Sequence, residues 1–283
     1  QVPLFATCQT PLSLYLTHLI ATTGASVAIL EGMSQGVNWI CWHPRGNVLL
    51  AGSEDATAWM WKLPEGTVMQ IFSAHSASVS YGTFANKGQS IATASEDGSV
   101  RLWNPRAGMV EHCFDARHKH DDEKTSITCL AANDHHPVIM FGATDGALRL
   151  AHCESGKILS KLMAHDQSVE SAAFCDCMEL GASAGMDGRL CVWDLNTFAL
   201  RHTCSHPAGV VEIQWRKGSP LLFACTVSKE LRLWDARNGT CLKTLTGHAD
   251  VVLCLAVGYP AAGTYALTGS DDATARVWAL SDV

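Results

Sequence analysis

Short apolar runs recur along the chain at even intervals. Each leads through a turn into a second strand-like run that ends on a fixed position. The apolar runs are NVLLAG (47–52), SIATAS (90–95), VIMFGA (138–143), ELGASA (179–184), LLFACT (221–226) and YALTGS (265–270). Behind them, SEDATAWMWK, SEDGSVRLWN, ATDGALRLAH, GMDGRLCVWD, TVSKELRLWD and SDDATARVWA align residue for residue, around Trp61, Trp103, Ala151, Trp193, Trp234 and Trp278. These positions lie 42, 48, 42, 41 and 44 residues apart. A further run upstream opens with His75, His165, His206 or His248, and the Trp follows its His by 28, 28, 28 and 30 residues. Short β-prone runs bounded by turn residues at this spacing predict many antiparallel strands and an all-β fold.

A period of about 40–45 residues is that of a four-stranded β-propeller blade. Each repeat then supplies the outer strand of one blade and three inner strands of the next. Five residues follow Trp278, so the N-terminus is expected to provide the outer strand of the last blade. Residues 1–32 are expected to form a partial N-terminal blade and this ring-closing strand. Within them SVAILEG (26–32) reads as an outer strand for the Trp61 blade, and LYLTHLIATTG just before it reads as one or two inner strands. The expectation is a single domain over residues 1–283: a propeller of seven blades with a truncated first blade and six clear repeats, six blades being the alternative.

The repeated His, Asp and Trp have a structural task. A hydrogen-bond chain from the Trp indole N–H through a Ser or Thr hydroxyl to His and the turn Asp would satisfy polar atoms that the packed blades bury. Two blades carry the whole set: His75, Ser95, Asp97 and Trp103, and His248, Ser270, Asp272 and Trp278. His165, Asp187 and Trp193 form a set with Gly185 at the hydroxyl position. His206, Thr226 and Trp234 form one with Ser228 in place of Asp. Ala151 replaces Trp in its repeat, and Met33 stands where the Trp61 repeat should have His. Ser, His and Asp together also suggest a hydrolytic triad. Because the set recurs blade after blade, it reads as structural, and no catalytic residue is expected.

Charge and cysteine usage narrow the partner. With 20 Lys and Arg against 27 Asp and Glu, the net charge is −7; this argues against direct nucleic-acid binding and favours a basic protein partner. There is no run of about 18 apolar residues to span a membrane and no basic segment of a signal peptide. The twelve Cys show no C-x-x-C pair and read as free thiols in a reducing compartment. No cofactor and no metal are expected. ARHKHDDEK (116–124) lacks a second ligand-bearing element, while His135-His136-Pro137 and Cys175-Asp176-Cys177 fall in hairpin turns.

WHPRGNVLLAGSEDATAWMWKLPEG (42–66) goes beyond a general WD repeat. It resembles the family of the angio-associated migratory cell protein and its fungal homologue, a dedicated chaperone of one large-subunit ribosomal protein. EDGSVRLWNPRAG (96–108), LRHTCSHPAGVVEIQW (200–215) and LRLWDARNGTCL (231–242) extend the similarity. The family typically carries an acidic N-terminal segment and a complete first blade, neither of which is expected from this sequence, and the chain also reads as shorter around KLMAHDQSVES (161–171). The resemblance implies a WD-repeat scaffold that escorts a basic ribosomal protein in large-subunit biogenesis, as a monomer in the cytoplasm or also the nucleus.

An acidic face can stand in for the RNA phosphate that such a client is made to neutralise. The loops expected beside the His and turn Asp carry Glu54, Glu96, Asp166, Glu170, Glu212, Glu230, Asp250 and Asp271, with Trp39 and Tyr81 near the same rim. These ten residues are the candidate partner-binding set. Trp234-Asp235-Ala236-Arg237 also fits the W-D-x-R box of cullin-RING ubiquitin ligase substrate receptors, which makes Arg237 a candidate adaptor contact. A ligase receptor or a signalling and cell-migration scaffold is the alternative function.

Overall fold

The computed structural model describes residues 4–8, 16–20, 26–116, 125–163, 165–258 and 264–280, with side chains from Leu30 onward. These residues form seven sheets, each built from consecutive strands. Leu4–Cys8, Leu16–Ile20 and Ser26–Leu30 (β1–β3) make the first. Val37–Trp42, Val48–Ser53, Ala58–Lys62 and Thr67–Phe72 (β4–β7) make the Trp61 sheet, and Val79–Ala85, Ser90–Ser95, Ser99–Trp103 and Val110–Asp115 (β8–β11) the Trp103 sheet. Ile127–Ala132, Val138–Ala143, Ala147–His152 and Lys157–Met163 (β12–β15) make the Ala151 sheet. Val169–Phe174, Leu180–Gly185, Arg189–Asp194 and Leu200–Ser205 (β16–β19) make the Trp193 sheet. Val210–Trp215, Leu221–Thr226, Glu230–Asp235 and Thr240–Thr246 (β20–β23) make the Trp234 sheet, and Val252–Gly258, Thr264–Ser270 and Ala275–Leu280 (β24–β26) the Trp278 sheet. The chain divides into two compact units, residues 1–139 with 151–158 and residues 140–150 with 159–283.

Burial explains the two kinds of run in the sequence. The second strand of a full sheet is covered on both faces, so β9, β17 and β21 are buried at all six positions and their sequences are near-continuous apolar runs. The outer strands β15 and β23 alternate between exposed and half-buried positions and carry the polar residues. The core lies between successive sheets. In the first unit Leu50, Met60, Phe72, Phe84, Ile91 and Trp103 fill one such layer. In the second, Leu180, Val192, Ile213, Trp215, Leu222 and Trp234 fill another. Each fully buried side chain of this size contributes roughly 1.5–3 kcal/mol.

The N-terminal strands differ from the sequence-based expectation. β3 pairs with β2, so SVAILEG closes its own sheet rather than the Trp61 sheet, whose outer strand is β7. The repeat begins with an outer strand, and an outer strand belongs to the sheet behind it. Among the described residues the run before SVAILEG supplies one strand, β2, and its partner β1 comes from Leu4–Cys8. Among the described residues the Trp278 sheet has three strands.

Two irregularities recur and matter for the site. The first strand of a sheet is bulged near its start, between Val37 and Trp39, Val79 and Tyr81, Val169 and Ser171, Val210 and Glu212, and Val252 and Cys254. The third strand is bulged at its Trp, as at Leu102/Trp103 and Val192/Trp193. Bulges re-aim the side chains beside them. The turn after the Asp needs a left-handed residue: Gly188 has φ +77°, and a Cβ there would fall 2.9 Å from the His206 carbonyl oxygen.

Candidate functional site

Three sheets hold an uninterrupted polar chain. In the Trp103 sheet, Trp103 Nε1 donates to Thr93 Oγ1 at 2.7 Å, His75 Nε2 lies 2.8 Å from the same hydroxyl, and His75 Nδ1 lies 2.9 Å from an Asp97 oxygen. The Trp193 sheet repeats this with Ser183 and Asp187: Trp193 to Ser183 is 3.0 Å, and His165 lies 2.9 Å from Ser183 and 3.0 Å from Asp187. The Trp278 sheet repeats it with Thr268 and Asp272, at 2.9, 2.8 and 2.9 Å. One assignment satisfies every member: a neutral His with its proton on Nδ1 donates to Asp, and Nε2 accepts from the hydroxyl that the indole donates to.

The hydroxyl of this chain is therefore not Ser95 or Ser270. Ser95 Oγ donates to the Ala77 carbonyl and accepts from Asp97 N–H, and Ser270 does the same with Asp250 and Asp272. Both secure the turn. Trp103 pairs with Ile91 across the strands, which places its indole beside residue 93, two positions short of Ser95. For the same reason Gly185 interrupts nothing, because Ser183 carries the link. Thr226 also lies outside the chain, bonding Ser228 and the Glu230 backbone. Ala224 occupies the linking position of the Trp234 sheet, so Trp234 Nε1 donates directly to His206 Nε2 at 3.1 Å. The sequence signal for the hydroxyl is its place ten residues before the Trp.

The environment sets the charges. Burial opposes ionisation of Asp97, but hydrogen bonds from His75, Ser99 and the Ser76 N–H outweigh it and hold the carboxyl far below its usual range. Asp272 is held down chiefly by Thr274, with Ala249 N–H and His248 adding to it. His206 has no turn Asp, and burial, reinforced by Arg232, lowers it to about 4. Thr93, Ser183 and Thr268 are 0% exposed. None of these hydroxyls is open to a substrate, so the Ser/Thr-His-Asp sets tie strands together.

Where the pattern breaks, the polar atoms show it. Met33 and Ala51 surround Trp61, and the buried Trp61 Nε1 has no hydrogen-bond partner. Ala51 occupies the position that Thr93 fills in the next sheet. Ala51→Ser is expected to give this indole an acceptor and raise stability by about 1 kcal/mol, read as a higher urea midpoint. In the Ala151 sheet, buried Arg149 takes over the turn Asp145, at 2.6 Å.

The candidate partner-binding residues do not all share one setting. Glu54 and Glu96, in the first unit, are exposed residues just before the turn Asp, their N–H groups bonded to Gly36 and Ser78 carbonyls at 2.9 and 3.0 Å. Asp271 takes the same position in the second unit, bonded to Val251, and Asp250 lies exposed in the facing loop. Asp166 is exposed and paired with Arg189 at 2.5 Å. Glu170 is half-buried and accepts from Ser168. Glu230 is half-buried and paired with Arg232 at 2.8 Å.

Two members belong to the interior. Trp39 is buried, donates to the Val79 carbonyl at 3.0 Å, and packs so tightly on Gly52 and Gly82 that a Cβ at either would lie 2.2–2.3 Å from its ring. Glu212 accepts from the Leu255 N–H at 2.6 Å, and burial pushes its carboxyl up to about 7 against that hydrogen bond. The bulge at the start of the first strand turns both toward the neighbouring sheet. Tyr81, at the matching position of β8, is 41% exposed. The second unit adds two exposed apolar residues at these strand ends, Met186 beside the turn Asp187 and Leu253 on β24, at 39% and 46%. Arg237 is exposed and grips Asp235 through Nε and Nη2, the latter at 2.7 Å.

Among the described residues, Cys175, Asp176 and Cys177 bring three metal-binding atoms within 4.8 Å of one another. Apart from Ala116, the ARHKHDDEK segment lies outside the described residues. No helix is long and apolar enough to cross a membrane among the described residues.

A family model for the WD domain, G-beta repeat, matches residues 24–62, 66–104, 156–194 and 239–279. The segments between these matches include the first three strands of the Ala151 and Trp234 sheets, where the polar chain is incomplete. The angio-associated migratory cell protein of Homo sapiens is 32% identical over 259 residues, 86% of this chain and 58% of that protein. An uncharacterized WD repeat-containing protein of Schizosaccharomyces pombe is 32% identical over 220 residues, 74% of this chain and 54% of that protein. This chain thus spans little more than half the length of these curated relatives. The crystal structure of Saccharomyces cerevisiae Sqt1 shares the fold, with a TM-score of 0.86 at 18% identity, covering 98% of this chain and 81% of that one.

Proposed function

Because the chain belongs to the WD-repeat family, whose β-propellers bind protein partners, we propose that the turn ends of its sheets hold a basic ribosomal protein and escort it toward large-subunit assembly. The observation that carries this reading is the second unit's combination of exposed acids and apolar side chains. Asp250 and Asp271 meet at one end of the Trp278 sheet, with Leu253 on the adjoining strand. Asp166, Glu170 and Met186 stand at the corresponding end of the Trp193 sheet. Among the described residues no cation pairs with Glu170, Asp250 or Asp271, so their charge is available to a partner. Exposed acids steer and orient a cationic segment, and apolar anchors such as Met186 and Leu253 supply contact area. The ribosomal identity of the client rests on the family resemblance of residues 42–66, and its basic character on this surface and the net charge of −7. The protein acts by binding, without chemistry of its own.

Titration of a Lys- and Arg-rich ribosomal-protein segment, followed by fluorescence anisotropy, tests the surface. Asp250→Lys combined with Asp271→Lys is expected to weaken binding about tenfold or more, while Arg237→Ala leaves it unchanged. Equal affinity for the wild type and the double variant would remove these acids from the site.

A further inference from the structure

The turn between β16 and β17 lies at the other end of its strands from the acidic residues and carries three adjacent donor side chains. Cys175 is buried and Cys177 exposed, and their sulfurs lie 3.5 Å apart. The Asp176 carboxylate completes a group whose ligand atoms all fall within 4.8 Å. The turn is held in place: Cys175 N–H donates to the Leu180 carbonyl at 2.9 Å, and Leu180 N–H to Met178 at 2.7 Å. Asp176 reaches the turn of the next sheet, where Gly218 N–H donates to both carboxylate oxygens at 3.0 and 2.9 Å. Anchored donors keep their geometry without a large ordering cost.

We propose that Cys175, Asp176 and Cys177 form a binding site for a thiophilic divalent ion, with Zn²⁺ as its ordinary occupant. Zinc bonds thiolate sulfur at about 2.3 Å, so two sulfurs of a tetrahedral site stand about 3.8 Å apart. The two sulfurs need to separate by only a few tenths of an ångström. A carboxylate offers about four lone-pair sites, which lets Asp176 keep Gly218 and still donate to the ion. Two thiolates and one carboxylate leave the fourth position to water, on the solvent side where Cys177 is exposed. Binding releases the thiol protons to solvent as the two Zn–S bonds form. Soft sulfur ligands select Zn²⁺ and Cd²⁺ over Mg²⁺ and Ca²⁺.

The test uses the whole reduced chain and Cd²⁺ as the probe, read by the ultraviolet cadmium–thiolate charge-transfer band, with Zn²⁺ affinity from competition against a chromophoric chelator. One tight equivalent is expected in the wild type and in Cys241→Ser, which removes an exposed thiol elsewhere. Cys177→Ser is expected to lose at least tenfold in affinity and much of the band, with unchanged far-ultraviolet circular dichroism. Asp176→Asn is expected to keep the band and lose about tenfold in affinity. A wild type that titrates like Cys177→Ser would overturn the site, as would equal losses in Cys177→Ser and Cys241→Ser.

Discussion

Replacing His75 with Ala is expected to lower folding stability by about 3 kcal/mol, whereas His206→Ala costs about 1 kcal/mol. The two histidines hold equivalent places in their repeats and are both largely buried, so a packing argument alone predicts similar losses. Their hydrogen bonds differ. His75 links Thr93 to Asp97, and the Asp97 side chain is only 6% exposed. Removing the imidazole strands the Thr93 hydroxyl and takes a strong partner from a buried carboxylate, and each unpaired buried group costs about 1–3 kcal/mol. His206 accepts only the Trp234 indole proton, and its own Nδ1 already lacks a partner. Its loss strands one donor and removes one unpaired atom. Urea midpoints for the two variants, measured with the wild type at pH 7, give the comparison. Equal losses would show that the polar chain contributes nothing beyond packing.

Glu212→Gln is expected to stabilise the protein at pH 8 by on the order of 2 kcal/mol and to change little below pH 5. The Glu212 carboxyl is raised from 4.5 to about 7, mainly by burial. The folded state therefore keeps its proton where the unfolded chain has lost it. The contribution is fully present below about pH 4.5 and disappears as pH rises through about 7. Above that, folding must hold a buried carboxylate whose hydrogen-bond donor is the Leu255 N–H. Gln offers the same acceptor without the charge. His206 acts in the opposite direction: lowered to about 4, it supports the fold above its unfolded value of about 6.5 and loses that support as pH falls toward 4. Urea midpoints at pH 5 and pH 8 separate the two. A variant no more stable than the wild type at pH 8 would mean that water reaches Glu212.

The repeat was legible because its markers are local. Trp61, Trp103, Trp193, Trp234 and Trp278, with an Asp turn before every one but Trp234, fix the blade period whatever the surroundings. The linking hydroxyl was harder to read. Thr93 and Ser95 lie on the same face of β9, and only the cross-strand pairing of Trp103 with Ile91 selects the first. The same shift hid Ser183 behind Gly185. Side-chain direction at the strand starts is hidden by the bulges: one extra residue turns Trp39 and Glu212 inward, where loop register alone puts them on the rim. Local pattern alone puts SVAILEG in the following sheet, because pairing depends on which sheet the chain has just left. Glu54, Glu96 and Asp271 are exposed because short turns leave little room for burial.

A pull-down from native extract with the tagged protein, at low and moderate salt and read by mass spectrometry, tests the escort function most directly. One basic ribosomal protein is expected to be recovered at low salt. It is lost at moderate salt, as screening of an exposed acidic surface requires, and lost again in the Asp250→Lys, Asp271→Lys variant. Recovery of ubiquitin-ligase adaptor subunits instead, indifferent to salt and to these reversals and abolished by Arg237→Ala, would contradict it.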